Sequence, residues 1–361
     1  DIFYYTEIDA FLGNYTEAVE GYEHLLQNKP DDELIQKKIW RLKNINFLYE
    51  DSLLYSIRPL AINTEHSEMS PTPYDDGIVF LSDRTKFDVK DSQDGYLNSF
   101  FNFYYAEKRP DTINTISISQ FKKPQNFSKE LSSGQQFGPI SFYNNESQCV
   151  FASTGDVIAT DGSKKMQLYF ATKREGKWKV TNAYQHNVSD FTFTNPSITP
   201  DGRTLYFSSD MPGGLGGSDI YRSQFVNETW TAPENLGDII NTRMDEVFPS
   251  ISFNTLSFSS NGHAGFGGLD IFSIALSDKM PGDVNNLGYP INSSADDFGI
   301  VFTTNSRGYL SSNRKRGGYD DDLFEFEMDF RKYPFSVTGV IKIKGSNELD
   351  TTDIIALPNA K

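Results

Sequence analysis

The sequence predicts a mainly β chain: a five-bladed β-propeller, with a helical segment before it and the start of a small β-sandwich after it. Three observations predict this. A unit of turn, strand, glycine loop and strand recurs five times. Aromatic residues are abundant, with 29 Phe and 19 Tyr, and they cluster in short β-prone runs. The segments linking the copies repeat as well.

The unit is clearest from Asn195 to Tyr221. Pro200-Asp201-Gly202 signals a tight turn, because proline presets one backbone angle and glycine accepts a positive one. Leu205 to Ser209 reads as a strand. Gly213 to Gly217 form a loop, and Asp219-Ile220-Tyr221 opens the next strand. Aligned on Pro71, Pro139, Pro196, Pro249 and Gly299, the copies are spaced by 68, 57, 53 and 50 residues. Repeats of about that length with several strands each indicate propeller blades. A six-bladed ring is the alternative, should residues 85–136 hold an extra blade.

The connector before the fourth copy carries Ile240-Asn241-Thr242, echoed by Ile291-Asn292-Ser293 and by Ile62-Asn63-Thr64 before the first copy. An outer strand therefore precedes the first blade while the last blade is one strand short. Residues near Tyr55 are expected to complete the fifth blade and close the ring, which buries blade faces and removes open ends.

Residues 1–50 read as helical. Tyr15, Ala18, Val19, Tyr22, Leu25 and Leu26 fall at spacings of three and four, one face of an amphipathic helix. Gly13 ends the helix before it. Asp31 or Asp32 is the candidate N-cap of a third helix striped by Ile35, Ile39, Leu42 and Ile45. Residues 51–328 are assigned to the propeller. In residues 329–361, Phe335–Lys344 alternates as a strand that Asp353–Leu357 can pair.

Composition excludes several functions. A net charge of −16 argues against nucleic-acid backbones, which call for clustered Lys and Arg. Cys149 is the only cysteine, so no disulfide or Cys-rich zinc site forms within the chain. No run of about 18 apolar residues is present to span a bilayer as a helix. Asp1 is read as lying inside a helical repeat, which places the expected true start upstream.

Gly13 to Pro30 resembles the second half of a tetratricopeptide repeat, with Ala18 at the close helix crossing and Tyr22 on the packing face, although Thr6 and Asp9 depart from that pattern. The Ser-Ser-Asp/Asn and Gly-Gly-x-Gly-Gly-x-Asp-Ile-Tyr/Phe unit resembles TolB-type, WD-like propeller repeats. The order of helices, propeller and a strand like the start of a carboxypeptidase-regulatory-like domain resembles a group of OmpA-family proteins of Bacteroidota. The resemblance implies a non-catalytic periplasmic scaffold, associated with the outer membrane. Its implied partners are a β-barrel and other subunits of a type IX secretion or gliding complex. It also implies peptidoglycan contact through a domain outside this sequence.

Gly213 to Asp219 is similar to glycine-aspartate loops that hold calcium in tandem repeats. Here the copies are a blade apart, so Asp219, Asp270 and Asp320 are expected to be structural repeat residues that brace their loops. Phe266 and Tyr319, on the glycine loops, are candidate anchors for docking a partner. The four histidines, His24, His66, His186 and His263, show no metal-ligand spacing, and neither a nucleophile elbow nor a phosphate loop is present. No catalytic, cofactor or metal residue is assigned. The acidic residues that stand out sit at repeating positions, from which a non-enzymatic chain is expected. A propeller glycosidase or glycan-binding module, with carboxylates near the axis, and a TolB-like peptide-binding accessory are the alternatives.

Overall fold

The computed structural model describes residues 2–84, 100–109, 121–131, 135–276, 282–315 and 320–329, together with the backbone of 336–342 and 349–355. Five antiparallel sheets form one closed wheel. The inner strands of blades one to five are Glu68–Tyr74, Phe137–Tyr143, Phe193–Ile198, Glu246–Ser252 and Asp297–Thr304. Each contacts the next, and the fifth contacts the first. The second strands, Gly77–Ser82, Gln148–Ser153, Thr204–Ser209, Thr255–Ser260 and Arg307–Ser312, are almost wholly buried. Leu, Val, Phe and Ala on their two faces fill the layers between blades.

The strand Tyr55–Pro59 closes the ring. It pairs with Asp322–Met328 from Tyr55↔Met328 to Pro59↔Phe324, as the outermost strand of blade five. Asn102–Glu107 is the third strand of blade one, followed outward by Gln125–Asn126. The described part of 85–136 therefore belongs to blade one, and the ring has five blades.

Every inner strand carries a bulge at its alignment position, between Met69 and Thr72, Phe137 and Ile140, Thr194 and Ser197, Val247 and Ser250, and Phe298 and Val301. A bulge adds one residue and bends the strand. Ser70, Asn195 and Phe248 take positive φ there, at 54°, 52° and 52°, and Gly299 at 61°. The bend turns the following residue, proline in four blades, toward the axis.

Three helices precede the wheel: α1 (Ile2–Phe11), α2 (Tyr15–Asn28) and α3 (Glu33–Lys43), with a 3₁₀ turn at Ile45–Tyr49. Ala18, Tyr22, Ile35, Ile39 and Leu42 form their core. Asp32 caps α3 by accepting the Ile35 N–H at 3.2 Å. Thr6 fits between α1 and α2 because Gly21 faces it; a β-carbon on Gly21 would stand 2.2 Å from Thr6 Oγ1. The tetratricopeptide assignment rests on sequence resemblance alone. Beyond the wheel, Ser336–Lys342 and Leu349–Ile355 pair as a hairpin, which does not by itself amount to a sandwich.

Candidate functional site

The glycine loops are braced by their aspartates. Asp219 accepts the N–H groups of Leu215 and Gly216 at 2.5 and 3.1 Å and the amide of Asn235 at 2.7 Å. Asp270 accepts those of Phe266 and Gly267 at 2.9 and 3.3 Å. Asp219 lies opposite Ser209 and Asp270 opposite Ser260; in blade five the partner of Ser312 is Asp322. The register expected for Asp320 is therefore corrected to Asp322: ten residues separate each serine from its aspartate in all three blades, while the glycine pair of the fifth loop stands two residues earlier in the sequence. Asp320 sits beside Asp321, whose carboxyl is pushed up to about 6 by burial and then by its acidic neighbours.

The connectors explain their own repetition. In each, one asparagine clamps both backbone groups of a residue in the third strand of the preceding blade. Asn241 accepts from Ile220 N at 2.8 Å and donates to Ile220 O at 3.0 Å. Asn292 does so with Ile271 at 2.7 and 2.8 Å, Asn187 with Leu168 at 3.1 and 2.8 Å, and Asn63 with Leu323 at 3.0 and 2.9 Å. The next residue in three of them, Thr64, Thr242 or Ser293, gives its N–H and hydroxyl to a buried acid that starts the following blade: Glu68, Glu246 or Asp297. One tripeptide thus ties two blades together.

The helices sit on the glycine-loop face. Lys38, 6% exposed, donates from Nζ to Glu7 Oε2 at 3.1 Å and to Asn261 O at 2.9 Å. Arg243 pairs with Asp32 at 2.7 Å, and Tyr289 N donates to Leu48 O at 2.7 Å. Gly267 has no side chain because backbone is in the way: a β-carbon would meet Ser294 O at 2.5 Å and Ala10 O at 2.9 Å. Phe266 is buried, its ring edge-on to Tyr49 at 5.4 Å and beside Ala10, Tyr22 and Lys38. Its expected role as an exposed anchor is corrected: the chain's own helices occupy that loop. Tyr319 lies outside the described residues.

The helices leave much apolar surface outward. On α1, Tyr4 and Tyr5 are 68% and 69% exposed, with Ile2 and Ile8 exposed beside them, and Leu12, just past its end, is 62% exposed. Phe3, Thr6 and Ala10 line its inner side. Trp40 and Phe47, stacked at 6.2 Å, are also exposed. The sequence signal was present: α1 is apolar on both faces.

On the opposite face the axis opens as a funnel of about 240 Å³. Pro71, Pro139, Pro196 and Pro249 form a collar, with Ile140, Ile198, Ile251 and Ile300 on the walls. Two of its hydroxyls are spent across blade seams: Ser141 accepts from Ile198 N at 3.1 Å and Ser197 from Ile251 N at 3.0 Å. Among the described residues Glu146 is the one carboxylate in the lining, and its Oε2 accepts the Asp75 N–H at 2.7 Å. The pair that glycoside hydrolysis commonly uses is not completed by these lining residues.

No protein-family model matches the chain, and no characterised protein matches it in sequence. Solved structures do resemble it. A thermostable family-43 glycoside hydrolase aligns over 84% of this chain and all of its own, at 11% identity and a TM-score of 0.48. An α-L-arabinofuranosidase from Lactobacillus brevis covers 72% of this chain and 90% of its own, at 9% identity and 0.45. A protein of unknown function from Dyadobacter fermentans covers 76% and 100%, at 13% and 0.43. The expectation that the chain is not an enzyme is corrected on this finding. It rested on repetition signifying architecture alone, and structures titled as hydrolases stand among those that resemble the chain.

Proposed function

We propose that this chain is an interaction module, a rigid wheel bearing a helical array whose outer face binds another protein. The observation that supports it is α1. A helix with apolar residues on its inner and its outer side is suited to lie between two neighbours. Helix α1 packs on α2 and, through Ala10 and Phe11, on the glycine loop of blade four, while Tyr4, Tyr5 and Ile8, with Leu12 just past its end, are exposed. Exposed apolar surface of this kind marks a contact site. On the resemblance to the Bacteroidota OmpA-family group, the partner is a subunit of an outer-membrane complex in the periplasm. It would be a β-barrel of the secretion or gliding type, and any peptidoglycan contact would lie in a domain outside this sequence. The test is affinity capture from detergent-solubilised outer membrane with wild type and with Tyr4→Glu/Ile8→Glu. An identified barrel should be recovered with wild type and lost by tenfold or more with the variant, at an unchanged unfolding midpoint. Equal recovery with both would refute the reading.

The funnel favours a second reading, a ligand site on the axis, since a concave, mostly apolar pocket with few polar groups is where a small ligand binds. A glycan or glycoside is one candidate and an uncharged peptide side chain the other. Release of nitrophenol from an aryl α-L-arabinofuranoside, lost in Glu146→Gln, would establish the first. Binding of N-acetyl-phenylalaninamide without sugar binding would establish the second.

A further inference from the structure

Three blades begin with a buried acid, and they do not treat it alike. In blade one, Arg84 pairs with Glu68 at 2.9 Å, donates to the connector carbonyl of Ile62 at 3.0 Å, and stacks over Phe80 and Tyr104 at 5.1 and 5.2 Å. In blade five, Arg314 pairs with Asp297, donates to Ile291 O at 2.5 Å, and stacks over Phe324 at 5.3 Å. In blade four the corresponding position is Gly262, and the next residue does the work. His263 Nε2 lies 2.8 Å from the equivalent carbonyl, Ile240 O, and its ring packs on Phe258 and Phe272 at 5.6 and 5.1 Å. A permanent cation has been replaced by an imidazole that titrates.

The replacement occurs where α3 docks. His263 lines a groove of about 690 Å³ between the wheel and the helices. From the helical side the groove receives Lys29, Asp31, Asp32, Glu33 and Lys37; from the connector, Asp238 and Arg243, the latter paired with Asp32. Lys38 holds the adjacent Asn261 carbonyl. Beneath, Glu246 takes the Thr242 N–H and hydroxyl and the Ser260 hydroxyl, at 2.6, 2.8 and 2.6 Å.

We infer that blade four carries a proton-operated clasp, in which protonation of His263 loosens α3 from the wheel and thereby regulates how the helical face is presented. This rests on the interaction-module reading. Because its Nε2 faces a carbonyl oxygen, neutral His263 donates from that nitrogen. Burial, and then the ammonium of Lys37, hold the ring below its ordinary pKa. A proton therefore binds more readily once the groove has opened, and acid shifts the balance toward the open form. Glu246 takes its own proton at about 7, before His263. The hydroxyls of Thr242 and Ser260 can turn to accept from it. Asp270, which braces the loop beneath the helices and is likewise raised by burial, titrates in wild type and His263→Gln alike, so the step that the variant removes belongs to His263.

The test is hydrogen exchange of the isolated chain at pH 7.5 and 5.0, corrected for the intrinsic rate. Exchange in Glu33–Lys43 and around Thr242 should rise by threefold or more, with a ceiling of about thirtyfold set by an imidazole that titrates near 6.5 once released. The arginine blades, around Thr64 and Ser293, should not change, and His263→Gln should abolish the rise. An unchanged rate in wild type, an equal rise in His263→Gln, or a rise common to all blades would overturn the clasp. Should His263→Gln fold poorly, the NMR titration of His263 in wild type decides: a midpoint at or above 6.5 also overturns it. No partner is present, so failure here is separable from failure of barrel capture.

Discussion

Replacing Glu246 with glutamine offers a direct measurement of what a buried acid costs this wheel. Glu246 is completely buried and lacks the arginine that accompanies Glu68 and Asp297. Burial, outweighing the hydrogen bonds from Ser260 and Thr242, raises its carboxyl from 4.5 to about 7. A folded pKa above the unfolded one means the native state holds the proton more tightly. The associated stability is complete below pH 4.5 and is lost as pH rises through 7. The displacement corresponds to about 3 kcal/mol. Glutamine keeps an acceptor for the Thr242 N–H and carries no charge to desolvate. Denaturant unfolding of wild type and Glu246→Gln should therefore be compared at pH 4.5 and 8.5. The variant should gain about 3 kcal/mol on wild type between the two, a comparison that cancels titrations common to both chains. A difference that stays constant with pH would show that Glu246 does not carry its charge in a closed environment, and the account of blade four would fall with it.

Two other perturbations probe the joints. Asn292→Ala strips both backbone partners of Ile271 inside a closed layer, and should cost about 2–4 kcal/mol by equilibrium unfolding; Asn182→Ala, on an exposed outer strand, should cost less than about 0.5 kcal/mol. Gly267→Ala drives a methyl into Ser294 O and Ala10 O, so the helices should lose exchange protection while blades one to three keep theirs; uniform protection in the variant would count against the close docking.

The wheel was legible because its copies keep their order even where their spacing drifts from 68 to 50 residues. The repeated Ile-Asn-Thr connector located the closing strand, since a connector with no blade before it implies a strand donated elsewhere. Two features were not legible. Counted from the glycine pair the sequence picks Asp320, counted from the paired serines it picks Asp322, and the pairing with Ser312 decides between them. Phe266 looked like an anchor on a bare loop. The signal that something lies on it was the run Gly265, Gly267 and Gly268, since glycines that close together often mark an approaching backbone. What approaches cannot be read from the loop itself. The replacement of arginine by Gly262 and His263 was equally visible and carried no meaning until the carbonyls of Ile62, Ile240 and Ile291 were seen to be equivalent.

The closing strand has a mechanical corollary. The chain enters the wheel at Tyr55 and leaves it at Met328, and these two residues are cross-strand partners. Tension between the helical array and whatever follows Met328 would tug both strands from one end, so their bonds would part singly, like a zip. Blades one to four lie off that line of force. A taut chain would peel the outermost strand from blade five and spare the rest, making the seam a fuse rather than a girder.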